Sequence, residues 1–189
     1  FLNDPAAPEV YTLSLHDARP MLAEVSSQDI DAVRWFAGAD FADVYALAGN
    51  YRCPDAKEKY PDYYDTVTLS GRMTNGTQCI VEGAVSVGYG YDSRVEILGT
   101  DGILFVGDLQ ESSARYANRE QKQLITKTVN SWQTLFIKAY EEEDTAFIDS
   151  IRSGSPVKAS GNDGLEVVKV VNAGNLSITE KRVVNLNEG

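Results

Sequence analysis

Apolar positions along the chain change their period, and each change marks an element. Across residues 21–37, Ile30, Val33 and Ala37 recur at helical spacing, and Gly38 sits where such a helix would stop. Residues 41–50, with Val44 and Tyr45, predict a strand, and residues 52–65 read as a loop rich in charge and tyrosine. From Thr66 the period becomes that of a strand. Val67, Leu69 and Met73 alternate with Thr68, Ser70 and Arg72, then Asn75-Gly76 signals a hairpin, and Cys79, Val81, Val85 and Val87 continue the return strand. A second hairpin is predicted from residues 94–98, the turn 99–102 and Ile103–Val106. Two helices follow. Phe136, Tyr140, Phe147 and Ile151 form an apolar stripe over 131–152 that predicts a core face. Residues 163–179 open with Asp163 and Glu166 at capping-box spacing, with Leu165, Val168 and Val171 on one face. Residues 182–186 close the chain as a short strand. The expected fold class is α+β: a mainly antiparallel open sheet, a meander of roughly five strands or more, with helices packed on one face.

Composition narrows the function classes. The chain has 189 residues, 43% of them hydrophobic, which suits a packed domain and not a disordered one. Lys and Arg number 17 against 28 Asp and Glu, for a net charge of −11, so no basic surface is available for nucleic acid. No apolar run reaches the ~20 residues that span a bilayer, so no membrane partner is expected. One histidine and two cysteines, Cys53 and Cys79, cannot complete a zinc set, and no metal is expected. The cysteines read as free thiols in a reducing compartment, hence a cytoplasmic protein. The chain opens at Phe1 with no basic leader and reads as a piece of a longer protein. For residues 11–21, YTLSLHDARPM, two readings stand: a translated sequencing adapter or a genuine loop.

Four segments, in order, carry a resemblance: MLAEVSSQDIDAVRWFAG (21–38), YGYDSRVEILGTDGILFV (89–106), SWQTLFIKAYEEEDTAFIDSIRSGSPV (131–157) and NDGLEVVKVVNAGNLSITEKRVVNL (162–186). Together they resemble the Gfo/Idh/MocA oxidoreductases, inositol 2-dehydrogenases in particular. The first is similar to the family helix D-x-x-x-H-D-x-D-x-x-R-W, the second to its YGYD strand. The resemblance implies that residues 1–189 form a single C-terminal substrate-binding and oligomerisation domain. Its partner would be an N-terminal Rossmann domain carrying NAD or NADP and a catalytic lysine. Neither G-x-G-x-x-G nor the family's E-K-P motif occurs here.

By the same resemblance, Glu24 and Gln28 stand at the family's catalytic Asp and His positions, and Asp31 follows seven residues after Glu24 as a substrate ligand. Tyr91 matches a substrate-side tyrosine, and Tyr89 would be its same-face strand neighbour. Two departures matter. Gln28 cannot titrate, so either Glu24 or the other domain's lysine takes the alcohol proton, or the protein is not a standard dehydrogenase. Leu135 replaces an arginine typical of inositol-type members. The expected function is the substrate side of an NAD(P)-dependent oxidoreductase acting on a secondary hydroxyl of a sugar or polyol. The alternative is a non-catalytic carbohydrate-binding or oligomerisation module, and ordinary polar surface remains the plain reading of Glu24, Gln28 and Asp31. Apolar residues on the open sheet, such as Ile80 and Leu98, predict a homo-oligomer built through the sheet face.

Overall fold

The computed structural model of the protein describes residues 21–118, 120 and 122–186, so residues 1–20, including the ambiguous segment up to Pro20, lie outside it. The chain starts with α1 (Met21–Glu24), α2 (Ser27–Ala37), β1 (Phe41–Gly49), α3 (Pro54–Lys59), β2 (Thr66–Met73) and β3 (Gln78–Ala84). Next come β4 (Val95–Leu98), β5 (Ile103–Val106), β6 (Gln110–Asn118), β7 (Gln123–Thr128), α4 (Trp132–Leu135) and α5 (Ile137–Ser153). The chain closes with α6 (Gly161–Glu180) and β8 (Val184–Asn185). This is the α+β class read from the sequence, and every strand pair is antiparallel. The chain divides into two compact units. One holds the described residues up to Ser86 and those from Ala159 onward; the other is Val87–Lys158.

In the first unit the strands run in the order β3-β2-β1-β8. Alternation does here what it predicts: Val44, Ala46, Val67, Leu69, Met73 and Val81 are buried on one face, joined by Leu22 and Ile30 from the helices. Each fully buried Leu or Ile contributes roughly 2–3 kcal/mol. The helix covering this face is α6, and it buries Val167, Val170, Val171, Ala173, Gly174 and Ser177. Gly174 permits the close approach, because a Cβ there would lie 2.6 Å from Leu22 Cδ1 and 3.1 Å from Leu69 Cδ1. The short β8 reaches only Asp43 and Val44 of β1. Beyond it, the buried Ser177 hydroxyl accepts from the Ala46 amide (2.9 Å) and donates to the Arg182 carbonyl (2.6 Å), completing hydrogen bonds a longer strand would have made.

Four sequence expectations shift in this unit. The α6 capping box is Ser160 with Asp163, one turn earlier than expected. Leu165 and Val168 are exposed, because the sheet-facing stripe runs through small residues that a search for large apolar side chains passes over. The helix expected over 21–37 breaks at Val25-Ser26. There the fully buried Ser26 sits against β3, where a Cβ on Gly83 would fall 2.5 Å from its hydroxyl. The loop 52–65 contains α3 and is organised by the fully buried Asp65. Its Oδ2 accepts from the consecutive amides of Tyr51, Arg52 and Cys53 at 2.5–2.9 Å, and Oδ1 accepts from Thr66 Oγ1 at 3.0 Å. These amides outweigh the burial that opposes charge, and they hold the carboxyl below its ordinary pKa. Both cysteines are free thiols.

The second unit is built differently. The expected meander is divided: its first hairpin, β2-β3, belongs to the four-stranded sheet, its second, β4-β5, stands as a separate two-stranded sheet, and a further hairpin, β6-β7, was not read from the sequence. Leu98, Ile103, Leu104, Phe105 and Val106 are all exposed. The expected core stripe on α5 is overturned as well: Tyr140, Phe147 and Ile151 are exposed. Their spacing is helical as predicted, but among the described residues no layer covers them.

Candidate functional site

Glu24 ends α1 and Gln28 is the second residue of α2, and both side chains are exposed. The α1–α2 break interrupts the helix that would have joined them. Yet Ser26 keeps αR backbone angles (φ −85°, ψ −6°), and the Ile30 amide reaches the Ser26 carbonyl at 2.9 Å. The chain therefore continues in a helical sense, with Glu24 and Gln28 about one turn apart. Asp31, at i+3 from Gln28, is half-buried, and its Oδ1 lies 3.1 Å from a guanidinium nitrogen of Arg34.

Arg34 is the best-anchored side chain of this helix. Its Nε and one terminal nitrogen donate to Asp40 Oδ1 (2.9 and 2.7 Å), and the other terminal nitrogen donates to Asp31 and to the Asp163 carbonyl (3.4 Å). Asp163 Oδ1 stands 3.6 Å away. Burial opposes the charge, but Asp40 first, then Asp31 and Asp163, outweigh it and raise the guanidinium pKa. Asp163 is held below the ordinary carboxylate range, mainly by the Ser160 amide and hydroxyl and then by Arg34. Arg34 is thus bound into the packing of this helix, whereas Trp35, the next residue of the R-W pair, is exposed and meets Phe36 edge-on.

Asp29 is a residue the sequence reading left out, although it fills the first Asp of the H-D-x-D pattern. Burial pushes its carboxyl pKa up, and it has no hydrogen-bond or ion-pair partner among the described residues. Its place in the H-D-x-D motif is the signal that finds it.

The tyrosines belong to the second unit. Tyr89 and Tyr91 lie in the irregular connection between β3 and β4, not in a strand, so the same-face argument for Tyr89 fails. Tyr89 is exposed. Tyr91 is half-buried, its amide donates to the Val129 carbonyl at 2.7 Å, and its ring meets Phe136 edge-to-face at 6.0 Å. Trp132, Phe136 and Tyr140, each four residues apart, continue this row of rings, with Trp132 and Tyr140 edge-to-face at 6.1 Å and both about half exposed. Such rings can pack on the carbon face of a polyol. A search restricted to titratable residues misses Trp132, while its place at the start of the third motif is the signal that finds it.

Among the described residues no group of three or more His, Cys, Asp or Glu is placed to hold a metal, and no helix is long and apolar enough to cross a membrane. Nor do these residues fit a dinucleotide. Gly88-Tyr89-Gly90-Tyr91 leads into a strand, and the N-terminus of the long helix α6 is already capped by the Asp163 carboxylate, which repels a phosphate.

Comparison with known proteins agrees with the fold. A family profile described as "Oxidoreductase family, C-terminal alpha/beta domain" matches residues 7–186. The myo-inositol 2-dehydrogenase of Thermotoga maritima is 26% identical over 186 residues, covering 98% of this chain and 54% of that protein. The structure of a putative myo-inositol dehydrogenase from Sinorhizobium meliloti superposes with a TM-score of 0.82 at 26% identity, over 89% of this chain and 51% of that one. That of a scyllo-inositol dehydrogenase from Lactobacillus casei, solved with NAD(H) and scyllo-inositol, superposes at 0.80 with 24% identity, over 88% of this chain and 48% of the other. The chain thus spans about half the length of the relatives it matches. It belongs to the Gfo/Idh/MocA oxidoreductase family, as an inositol dehydrogenase-like C-terminal alpha/beta domain.

Proposed function

We propose that this chain is the substrate side of an NAD(P)-dependent oxidoreductase acting on a secondary hydroxyl of a sugar or polyol. The carrying observation is the α1–α2 segment, where an anchored Asp31 follows Gln28 and Glu24 in the order of the family motif. The relatives named as inositol dehydrogenases, one of them holding NAD(H) and scyllo-inositol, support the substrate class and the cofactor. NAD or NADP, bound outside the residues described, would supply the hydride acceptor. Oxidising an alcohol also requires a proton to leave the oxygen, and that is this chain's part. Glu24 is its only titratable group at the two motif positions, so Glu24 takes the proton. Gln28 donates and accepts hydrogen bonds, and Asp31 accepts from a neighbouring hydroxyl. In the full-length protein Glu24→Gln should lower turnover of a polyol roughly 10²–10⁴-fold, and Gln28→His should raise it. Unchanged turnover in Glu24→Gln would move the proton to a residue of the other domain.

A second reading is favoured by a separate observation. On the open face of the first unit's sheet, Leu47 and Ile80 are exposed, with Ile80 at 69%. Bare apolar residues on a sheet suit assembly, so the domain also serves as a homo-oligomer contact, and with Gln28 in place of His it could bind a carbohydrate without oxidising it. Light scattering of the full-length protein should give a multimer, and Ile80→Lys should shift it toward monomer. A wild-type monomer at high concentration would remove this reading.

A further inference from the structure

We infer that Arg34 is a positioning residue whose role is to fix the Asp31 carboxylate for substrate, an inference that rests on the polyol-oxidoreductase reading above. The geometry separates this role from ordinary helix stabilisation. Arg34 is already locked without Asp31: Asp40 takes two of its N–H groups, and Asp163 engages it through both its carbonyl and its carboxylate. Its side chain is only 11% exposed, so the fork cannot swing. The Asp31 pair adds little to stability, because Asp31 is 45% exposed and i,i+3 pairs of that kind are weak.

What the pair does is restrict Asp31. With Oδ1 held at 3.1 Å by Arg34, and no other hydrogen-bond partner among the described residues, Oδ2 is left free at a set orientation. An acceptor presented in one direction discriminates between hydroxyl configurations on a ring, whereas a freely rotating one does not. Lysine at position 34 would keep the charge, but its single ammonium cannot bridge Asp40, Asp163 and Asp31 as the planar fork does.

The test uses the full-length enzyme with myo-inositol as probe and NAD+ or NADP+ as acceptor. Asp31→Asn and Arg34→Lys should each raise KM about 10- to 100-fold with a smaller change in kcat. The Arg34→Lys/Asp31→Asn double variant should be no worse than Asp31→Asn alone, because Arg34 acts only through Asp31. A merely structural Arg34 would give multiplying effects instead, and that result overturns the inference while leaving the polyol reading in place. If Arg34→Lys does not fold, Asp31→Glu serves, since it keeps the charge and displaces the free oxygen. Its KM should rise at least about 10-fold, and a wild-type KM overturns the inference. An active wild-type enzyme indifferent to Asp31→Asn, or a wild-type enzyme inert toward myo-inositol with both cofactors, overturns the inference and counts against the reading beneath it.

Discussion

The two units share one vocabulary of alternating strands and striped helices, yet they use it to opposite ends. In the first unit the apolar face of β1, β2 and β3 meets α6 and α1, and Leu22, Leu69, Val44 and Ile30 are sealed from water. In the second, β4, β5 and α5 show equally regular patterns, but Leu98, Phe105, Phe147 and Ile151 stay exposed. Periodicity states which residues share a face; it does not state that another layer arrives to cover it. A two-stranded ribbon is marginal by itself, so the second unit draws little stability from its own hydrophobic contacts.

The sharpest way to break this contrast is a pair of truncations. Leu69→Ala should cost about 3 kcal/mol in urea unfolding, the range for a sealed core leucine. Phe105→Ala, at a residue 66% exposed, should cost less than about 0.5 kcal/mol. Equal costs would mean that Phe105 is covered in solution and that the two units do not differ. Next in size is Asp65, whose replacement by Asn should cost about 2 kcal/mol, since it strips the charge from a carboxylate that holds three consecutive amides. Its folded pKa is lowered, so its contribution is complete above the ordinary carboxylate value of about 3.9 and disappears as pH falls through the lower folded value. Urea midpoints measured from pH 7 downward should therefore decline in the acid range for the wild type, with a shallower decline in Asp65→Asn. The smallest effect sharpens the picture of the candidate site. Burial raises the Asp29 pKa, so folding is penalised increasingly as pH rises from the ordinary value through the raised one, and the penalty is complete at neutral pH. Asp29→Asn should then raise the free energy of urea unfolding at pH 7 by less than about 1 kcal/mol, with no such gain at pH 3.

The strands and helices of the first unit were legible because each carries its own period and stop signal: Gly38 after α2, Asn75-Gly76 between β2 and β3. The break at Ser26 was not, because αR geometry on both sides leaves the apolar spacing nearly intact and only the burial of the serine betrays it. The hairpin β6-β7 was missed for the opposite reason: Gln110–Asn118 is mostly polar, and with neither face buried it shows no alternation to read. At the candidate site, the motif located Glu24, Gln28 and Asp31, while Arg34's partners Asp40 and Asp163 lie 6 and 129 residues away. No local pattern reports a contact of that span. The strand expected for Tyr89 and Tyr91 came from the resemblance to the family's YGYD strand, and Gly88 and Gly90, both at positive φ, turn the backbone out of it.

The contact between Ser26 and Gly83 also limits how this sequence can drift over generations. A side chain at position 83 would fall 2.5 Å from the serine hydroxyl, so a lineage that gains an alanine there must first lose that hydroxyl at position 26 or let α1 slide along the sheet. Since α1 carries Glu24, that slide would carry the proposed base with it. Two positions 57 residues apart in the chain, neither of them reactive, are thereby bound to change together or not at all.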